Sequence, residues 1–227
     1  MVALLALRSS LDRSQVAGLL WEASSEERAL GSLRTELWRI NRQLPGCVVI
    51  DGRRLRLNRE FLVDVDDFVT RGRRVLDPTV ALRIEDIPDA WTSGDLLPGW
   101  EQSWLTVDRE RLRQLRLHVC ETAALRLSAL GQHSLALDLA LGVLRIETTR
   151  ESAYRTLIAV HLAEGNLTEA RRTFVTCARV LWRELGAAPT FSLNVTVDAT
   201  LQRPAPVSET LRSARRPARR GQDRDSS

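Results

Sequence analysis

The chain has 227 residues, which at about 100–200 residues per domain allows one large domain or two small ones. Hydrophobic residues make up 44% and charged ones 27%, a globular composition that argues against wholesale disorder. No apolar run approaches the ~18 residues of a membrane span, the opening Met1-Val2-Ala3-Leu4-Leu5-Ala6-Leu7 lacks the basic region and cleavage site of a signal peptide, and Cys47, Cys120 and Cys177 are too few and too scattered for a disulfide framework and fit a reducing cytoplasm.

All 33 basic side chains are arginine. A GC-rich coding bias explains that count, so it carries no function alone. The distribution of charge is more informative: residues 1–60 carry a net +3, 61–115 a net −4, 116–201 a net +1 and 202–227 a net +4. Basic ends around an acidic middle suggest an anionic partner at one or both ends.

Residues 2–8 read as a short apolar helix. Asp12 is a good N-cap for a second helix over 13–21. Ser24 or Ser25 caps a third, with Glu26 and Glu27 in the first turn, where the helix dipole favours them. This third helix runs to about Leu44 and stops at Pro45-Gly46. Leu30, Leu33, Leu37, Ile40 and Leu44 form a stripe at 3, 4, 3, 4 spacing that faces a core. The opposite face carries Arg28, Ser32, Thr35, Arg39 and Arg42, with Arg34 and Trp38 on the flank. Trp38 and Trp21 both read as packing residues.

Next come Cys47-Val48-Val49-Ile50, Asp51-Gly52, and Arg53-Arg54-Leu55-Arg56-Leu57. Asp-Gly between two β-prone runs predicts a hairpin with a type I′ turn. The second strand sets Arg54 and Arg56 on one face and Leu55 and Leu57 on the other. Helix, helix, longer helix with a basic outer face, then basic hairpin is the order of a winged helix-turn-helix. A helix fits the major groove, where arginine reads guanine edges or holds phosphates. A hairpin beside it lays arginine against the backbone or the minor groove. The competing reading is a small helical domain with a solvated arginine face.

Phe61, Val63 and Val65 alternate with polar residues, so a short extended stretch is expected. A helix starts near Asp66 or Asp67 and runs to Leu76, before the boundary at Asp77-Pro78. Asp64, Asp66 and Asp67 read as carboxylates at a helix start rather than a metal site. Residues 84–104 form a turn-rich linker with Trp91, Trp100 and Trp104, which bolt two domains together; a ligand pocket is the alternative. From Val107 to Leu185 the chain reads as helical with a repeat. Ala123 and Leu157, Gly131 and Gly165, and Ala136 and Ala170 are each 34 residues apart, the period of tetratricopeptide helix–turn–helix units. Two units are clear, and 107–117 supplies a neighbouring helix.

His118, His133 and His161 show no metal-ligand spacing. Phosphate-loop, nucleophile-elbow and His-Glu-x-x-His motifs are lacking. The expectation is a protein that is not an enzyme, with no metal and no cofactor. Residues 202–227, rich in Arg, Pro, Ser and Asp, are expected to form a disordered basic tail.

Several stretches together resemble the SARP-type bacterial transcriptional regulators, whose second half is the bacterial transcriptional activator domain. They are Leu33-Arg34-Thr35-Glu36-Leu37-Trp38-Arg39-Ile40, Val63-Asp64-Val65-Asp66-Asp67-Phe68, Leu96-Leu97-Pro98-Gly99-Trp100 with Trp104, Glu110-Arg111-Leu112-Arg113, His161-Leu162-Ala163-Glu164-Gly165-Asn166, and Glu184-Leu185-Gly186 with Pro189. The resemblance covers roughly residues 3–190. It implies a mainly α fold: an OmpR-type winged helix-turn-helix over 1–60, a connecting helix and Trp-rich linker over 61–106, and a tetratricopeptide-like part of the activator domain over 107–201. It implies Arg34, Thr35, Arg39 and Arg42 facing the major groove, with Arg53 and Arg54 on the wing. It implies a cytoplasmic activator that binds direct repeats in double-stranded DNA near promoters, often of antibiotic clusters, and recruits RNA polymerase holoenzyme, often as a homodimer. The family's DNA-binding domain opens with a small antiparallel sheet, whereas this chain starts at the first helix, so an N-terminally shortened form is expected. The alternative function is a protein-interaction module that uses the helical repeat without binding DNA.

Overall fold

The structure, a computed structural model, describes residues 1–87 and 94–193. Within them the chain is mainly helical, with one small sheet. Helix α1 (Val2–Leu7) is followed by strand β1 (Leu11–Asp12), α2 (Arg13–Leu20), α3 (Glu26–Gln43), β2 (Val48–Asp51), β3 (Arg54–Leu57) and α4 (Asp64–Leu76). A 3-10 turn (Ile84–Asp86) precedes α5 (Leu105–Ala129), α6 (His133–Ile146), α7 (Glu151–Ala163) and α8 (Leu167–Leu185).

Asp12 and Ser25 sit at the N-caps of α2 and α3. Gln15 accepts from the Asp12 N–H at 3.0 Å, one arm of a capping box. The chain ends α3 at Gln43, and Leu44 lies past the helix, 47% exposed. Ala29, Leu33 and Ile40 are the buried residues of this helix. The apolar stripe thus holds in its middle and fails at Leu44, where helical spacing no longer applies.

The hairpin forms as expected, with a different turn. Asp51 pairs with Arg54, so Gly52-Arg53 is the two-residue loop. Gly52 has φ of +57°, and Arg53 is not among the positive-φ residues. Positive φ at the first loop position alone is the pattern of a type II′ turn, not the type I′ turn expected. The sheet also has a third strand that sequence reading missed. Its order is β1-β3-β2, antiparallel, with Leu11 opposite Leu55 and Asp12 opposite Arg54. Two residues are too few to show period-2 alternation.

The first core is built from Leu4 and Leu5, Val16 and Ala17, Ala29 and Leu33, and Leu55. Trp104 and Leu105, from the head of α5, complete it. Trp104 therefore bolts this core to the later helices, as expected of the linker. Trp100 is 41% exposed, and Trp91 lies outside the described residues. Trp21 packs against the first core from its edge.

α4 begins at Asp64, two residues before the expected start, with Asp64, Asp66 and Asp67 in its first turn. Asp67 pairs with Arg71 at 2.8 Å. Among the described residues no cluster of metal-ligating side chains forms. The C-terminal carbonyls of α4 need outside partners; Arg126 of α5 donates to the carbonyls of Val75 at 2.7 Å and Asp77 at 3.1 Å, and to that of Val80.

Residues 107–117 are the first half of α5 rather than a separate neighbouring helix. The second core joins Val75 of α4, the α5 face from Leu117 to Leu127, Ala136 and Val143 of α6, and Leu157 of α7. Tyr154, Cys177 and Leu181 carry packing on to α8. The 34-residue period is visible in the turns. Gln132 N–H donates to Leu127 O and Gly131 N–H to Ser128 O. Asn166 N–H donates to His161 O and Gly165 N–H to Leu162 O, each atom 34 residues on. Both are Schellman closures, with Gly131 at φ +76° and Gly165 at φ +82°. Ala136 and Ala170, just past these turns, are fully buried, so the paired helices approach closely.

Candidate nucleic-acid interface

The outer face of α3 is held outward because Ala29 and Leu33 fix the inner face in the first core, and Ile40 is buried further along the same helix. Arg34, Thr35, Arg39 and Arg42 are all exposed on it. Thr35 Oγ1 donates to the Gly31 carbonyl at 3.3 Å, so its methyl and the lone pairs of its oxygen are left for contacts. Arg39 Nη1 lies 3.3 Å from Glu36 Oε2. That pair is exposed and weak, and it uses one of the five guanidinium donors.

Trp38 is not a packing residue. It is 63% exposed, and its position four residues from both Arg34 and Arg42 sets it inside the basic face. The Arg42 guanidinium lies 5.5 Å from its ring centroid, within cation–π range. An aromatic at the boundary of a stripe reads as core from spacing alone. The signal that would have placed it outside was its i+4 relation to Arg34 and Arg42.

Arg53 and Arg54 are both exposed at the tip of the hairpin. Strand β1 positions this tip: Arg13 N–H donates to the Arg53 carbonyl at 3.0 Å, and Arg54 Nε lies 3.8 Å from Asp12 Oδ1. The six sequence-derived residues thus fall on two elements, α3 and the β2–β3 turn, tied together through the first core. Their five arginines present planar five-donor guanidinium forks, which match phosphate oxygens and the O6/N7 edge of guanine, and exposed Trp38 adds one flat aromatic beside them.

Behind this surface, the head of α5 is fastened by polar contacts. Arg8 donates from Nε to Asp108 Oδ2 at 3.2 Å and from Nη2 to the Trp104 carbonyl at 2.9 Å. Arg109 donates to the carbonyls of Leu96, Leu97 and Trp100 at 2.9, 2.7 and 3.0 Å. Further along, Arg150 forks onto Glu121 at 2.8 and 3.2 Å, and Ser152 donates to the same carboxylate at 2.6 Å. Arg113 bridges Glu110 and Glu147, both at 2.9 Å, and these donors hold the Glu110 carboxyl down at about 2.

The all-helical second part is thus fastened to the basic helix and hairpin of the first. Residues 65–199 match the bacterial transcriptional activator domain. The match covers more than half of the chain, which therefore belongs to that family, as its resemblance to SARP-type regulators implied. No curated protein matches the chain. Among the described residues no helix is long and apolar enough to cross a membrane.

Proposed function

We propose that the chain is a DNA-binding transcriptional activator acting in the cytoplasm. Its first sixty residues work as a winged helix-turn-helix, with α3 as the recognition helix and the β2–β3 turn as the wing. The helices from α5 onward form the tetratricopeptide-like part of the activator domain, which contacts RNA polymerase holoenzyme. The targets are direct repeats near promoters, such as those of a secondary-metabolite cluster, bound by a homodimer. One observation carries this reading: Arg34, Arg39 and Arg42 on α3 and Arg53 and Arg54 on the hairpin are exposed together, while the inner faces of both elements are buried in one core. Arginine on α3 supplies base readout, and the wing supplies phosphate contacts. The test is a gel shift on the upstream regions of neighbouring genes. The expected result is a footprint at direct repeats, lost steeply as salt rises. Equal affinity for scrambled DNA overturns sequence-specific binding.

A second reading, a protein-interaction module that does not bind DNA, is favoured by the last described helix. Val175, Trp182 and Leu185 of α8 are 54, 67 and 62% exposed. Retained activity in vivo after deletion of residues 1–60 supports this reading, and lost activity supports the first.

A further inference from the structure

Trp38 is the only aromatic residue of α3, and it is exposed. It has no place in the first core, to which Ala29, Leu30, Leu33 and Leu37 of the same helix belong. Arg34 and Arg42 stand four residues to either side, about 6 Å along the helix axis. Arg39 is its neighbour in the chain. The Arg42 guanidinium lies 5.5 Å from the ring centroid and fixes the indole among the arginines. Among the described residues the indole has no other polar or ring partner.

Such a ring gains by leaving water where it meets apolar surface. The three arginines around it favour a polyanion as the partner. A protein with an apolar docking surface has to bury those charges beside it, at a desolvation cost. On a DNA duplex, the floor of the major groove carries one apolar group, the C5-methyl of thymine; its other groups are donors and acceptors. Thr35, one turn before Trp38, adds a methyl to the same strip of the helix.

We propose that Trp38 is a specificity-determining residue of the α3 surface, its indole meeting the C5-methyl of a thymine in the major groove. Arg34, Arg39 and Arg42 hold the polar base edges and phosphates around it. This rests on the reading of α3 as the recognition helix and deepens it. Arginine forks select guanine; the methyl contact adds thymine to the sequence that the helix reads.

The test is a quantitative gel shift of the full chain on an upstream duplex that it footprints. Each protected thymine is replaced in turn by deoxyuridine, which removes the C5-methyl and keeps the base pair. At one position this is expected to lower the affinity of the parent chain about fourfold, the effect of one buried methyl group. Trp38→Ala is expected to bind the thymine duplex about tenfold more weakly and to keep the parent's salt slope, because no phosphate contact is lost. It is also expected to bind the thymine and uracil duplexes alike at that position, since the two groups act as one contact. Trp38→Phe keeps a flat apolar ring and is expected to keep the thymine preference. Both variants are expected to keep the Tm, because the side chain lies outside the cores. If uracil is tolerated at every position, or if Trp38→Ala retains the thymine preference, the proposal is overturned while DNA binding by α3 stands. An equal loss on scrambled DNA places the indole on the sugar–phosphate backbone, and unchanged binding places it against a protein; both overturn the proposal. The absence of any sequence-specific shift by the parent chain overturns the reading of α3 and the proposal with it.

Discussion

Arg8 and Asp108 stand 100 residues apart in the chain and 3.2 Å apart in the structure. This contact, with the second bond from Arg8 to the Trp104 carbonyl, ties the end of α1 to the head of α5. Asp108 is almost fully buried. Asp108→Ala leaves the Arg8 donor facing a partly buried gap, so a loss of about 1–3 kcal/mol is expected. Urea unfolding checks this, as a lower midpoint with an unchanged slope. A midpoint equal to that of the parent shows that water replaces the carboxylate at no cost.

Trp104 is the largest side chain in the first core and comes from outside it in sequence. Trp104→Ala opens a cavity and is expected to cost about 3–5 kcal/mol. The loss falls on residues 1–57, so hydrogen exchange in α1 to α3 accelerates while the second core stays protected. Uniform acceleration over both cores contradicts this placement.

The Glu121–Arg150 fork joins α5 to α7, with side chains 10% and 13% exposed. Glu121→Ala leaves the buried Arg150 guanidinium only Gln114 at 3.3 Å and Glu147 at 3.7 Å, and a loss of about 3 kcal/mol, the low end for a broken buried pair, is expected. The pair Glu121→Leu with Arg150→Met removes both charges and is expected to recover most of that loss. Thermal melts of the three proteins decide whether the pair acts through mutual neutralisation.

Cys47, Cys120 and Cys177 are buried and form no disulfide. Burial pushes the Cys120 thiol up to about 12 and that of Cys177 to about 11. Folding therefore favours the neutral thiols. Their contribution is complete below the ordinary thiol range near 9 and is lost as pH rises from about 9 toward 12. A thiol reagent at pH 8 is expected to leave the native chain unmodified and to titrate all three thiols in denaturant. Rapid native labelling of Cys120 contradicts its burial.

On DNA, Arg39→Ala is expected to cost about 1–3 kcal/mol on the specific site and little on scrambled sequence. Arg53→Ala is expected to weaken both alike and to reduce the salt slope by about 1. Gel shifts across a salt series separate the two roles. Identical behaviour of the two variants removes the distinction between reading helix and wing.

The helices were legible because their periodicity runs long. The stripe from Leu30 to Ile40 and the 34-residue offset between Gly131 and Gly165 each repeat a signal several times. The exposure of Thr35, Arg39 and Arg42 was legible for the same reason, since these residues lie opposite the stripe. The failures came where the signal is short or depends on distant residues. Strand β1 is two residues long and exists only because β3 offers it an edge. The turn type depended on which two residues close the hairpin, and register shifted that pair by one position. Trp38 was misplaced because an aromatic beside a stripe gives no local sign of which side it falls on.

The position of Trp104 also governs how the chain is made. Residues 1–60, with Leu4, Leu5, Leu33 and Leu55, are translated before the indole that completes their core. More than forty further residues have to be added before that side chain is even synthesised, a few seconds at about 5–20 residues per second. The first core thus waits on a side chain made later than the rest of it. During that interval its apolar surface is open to any neighbouring nascent chain.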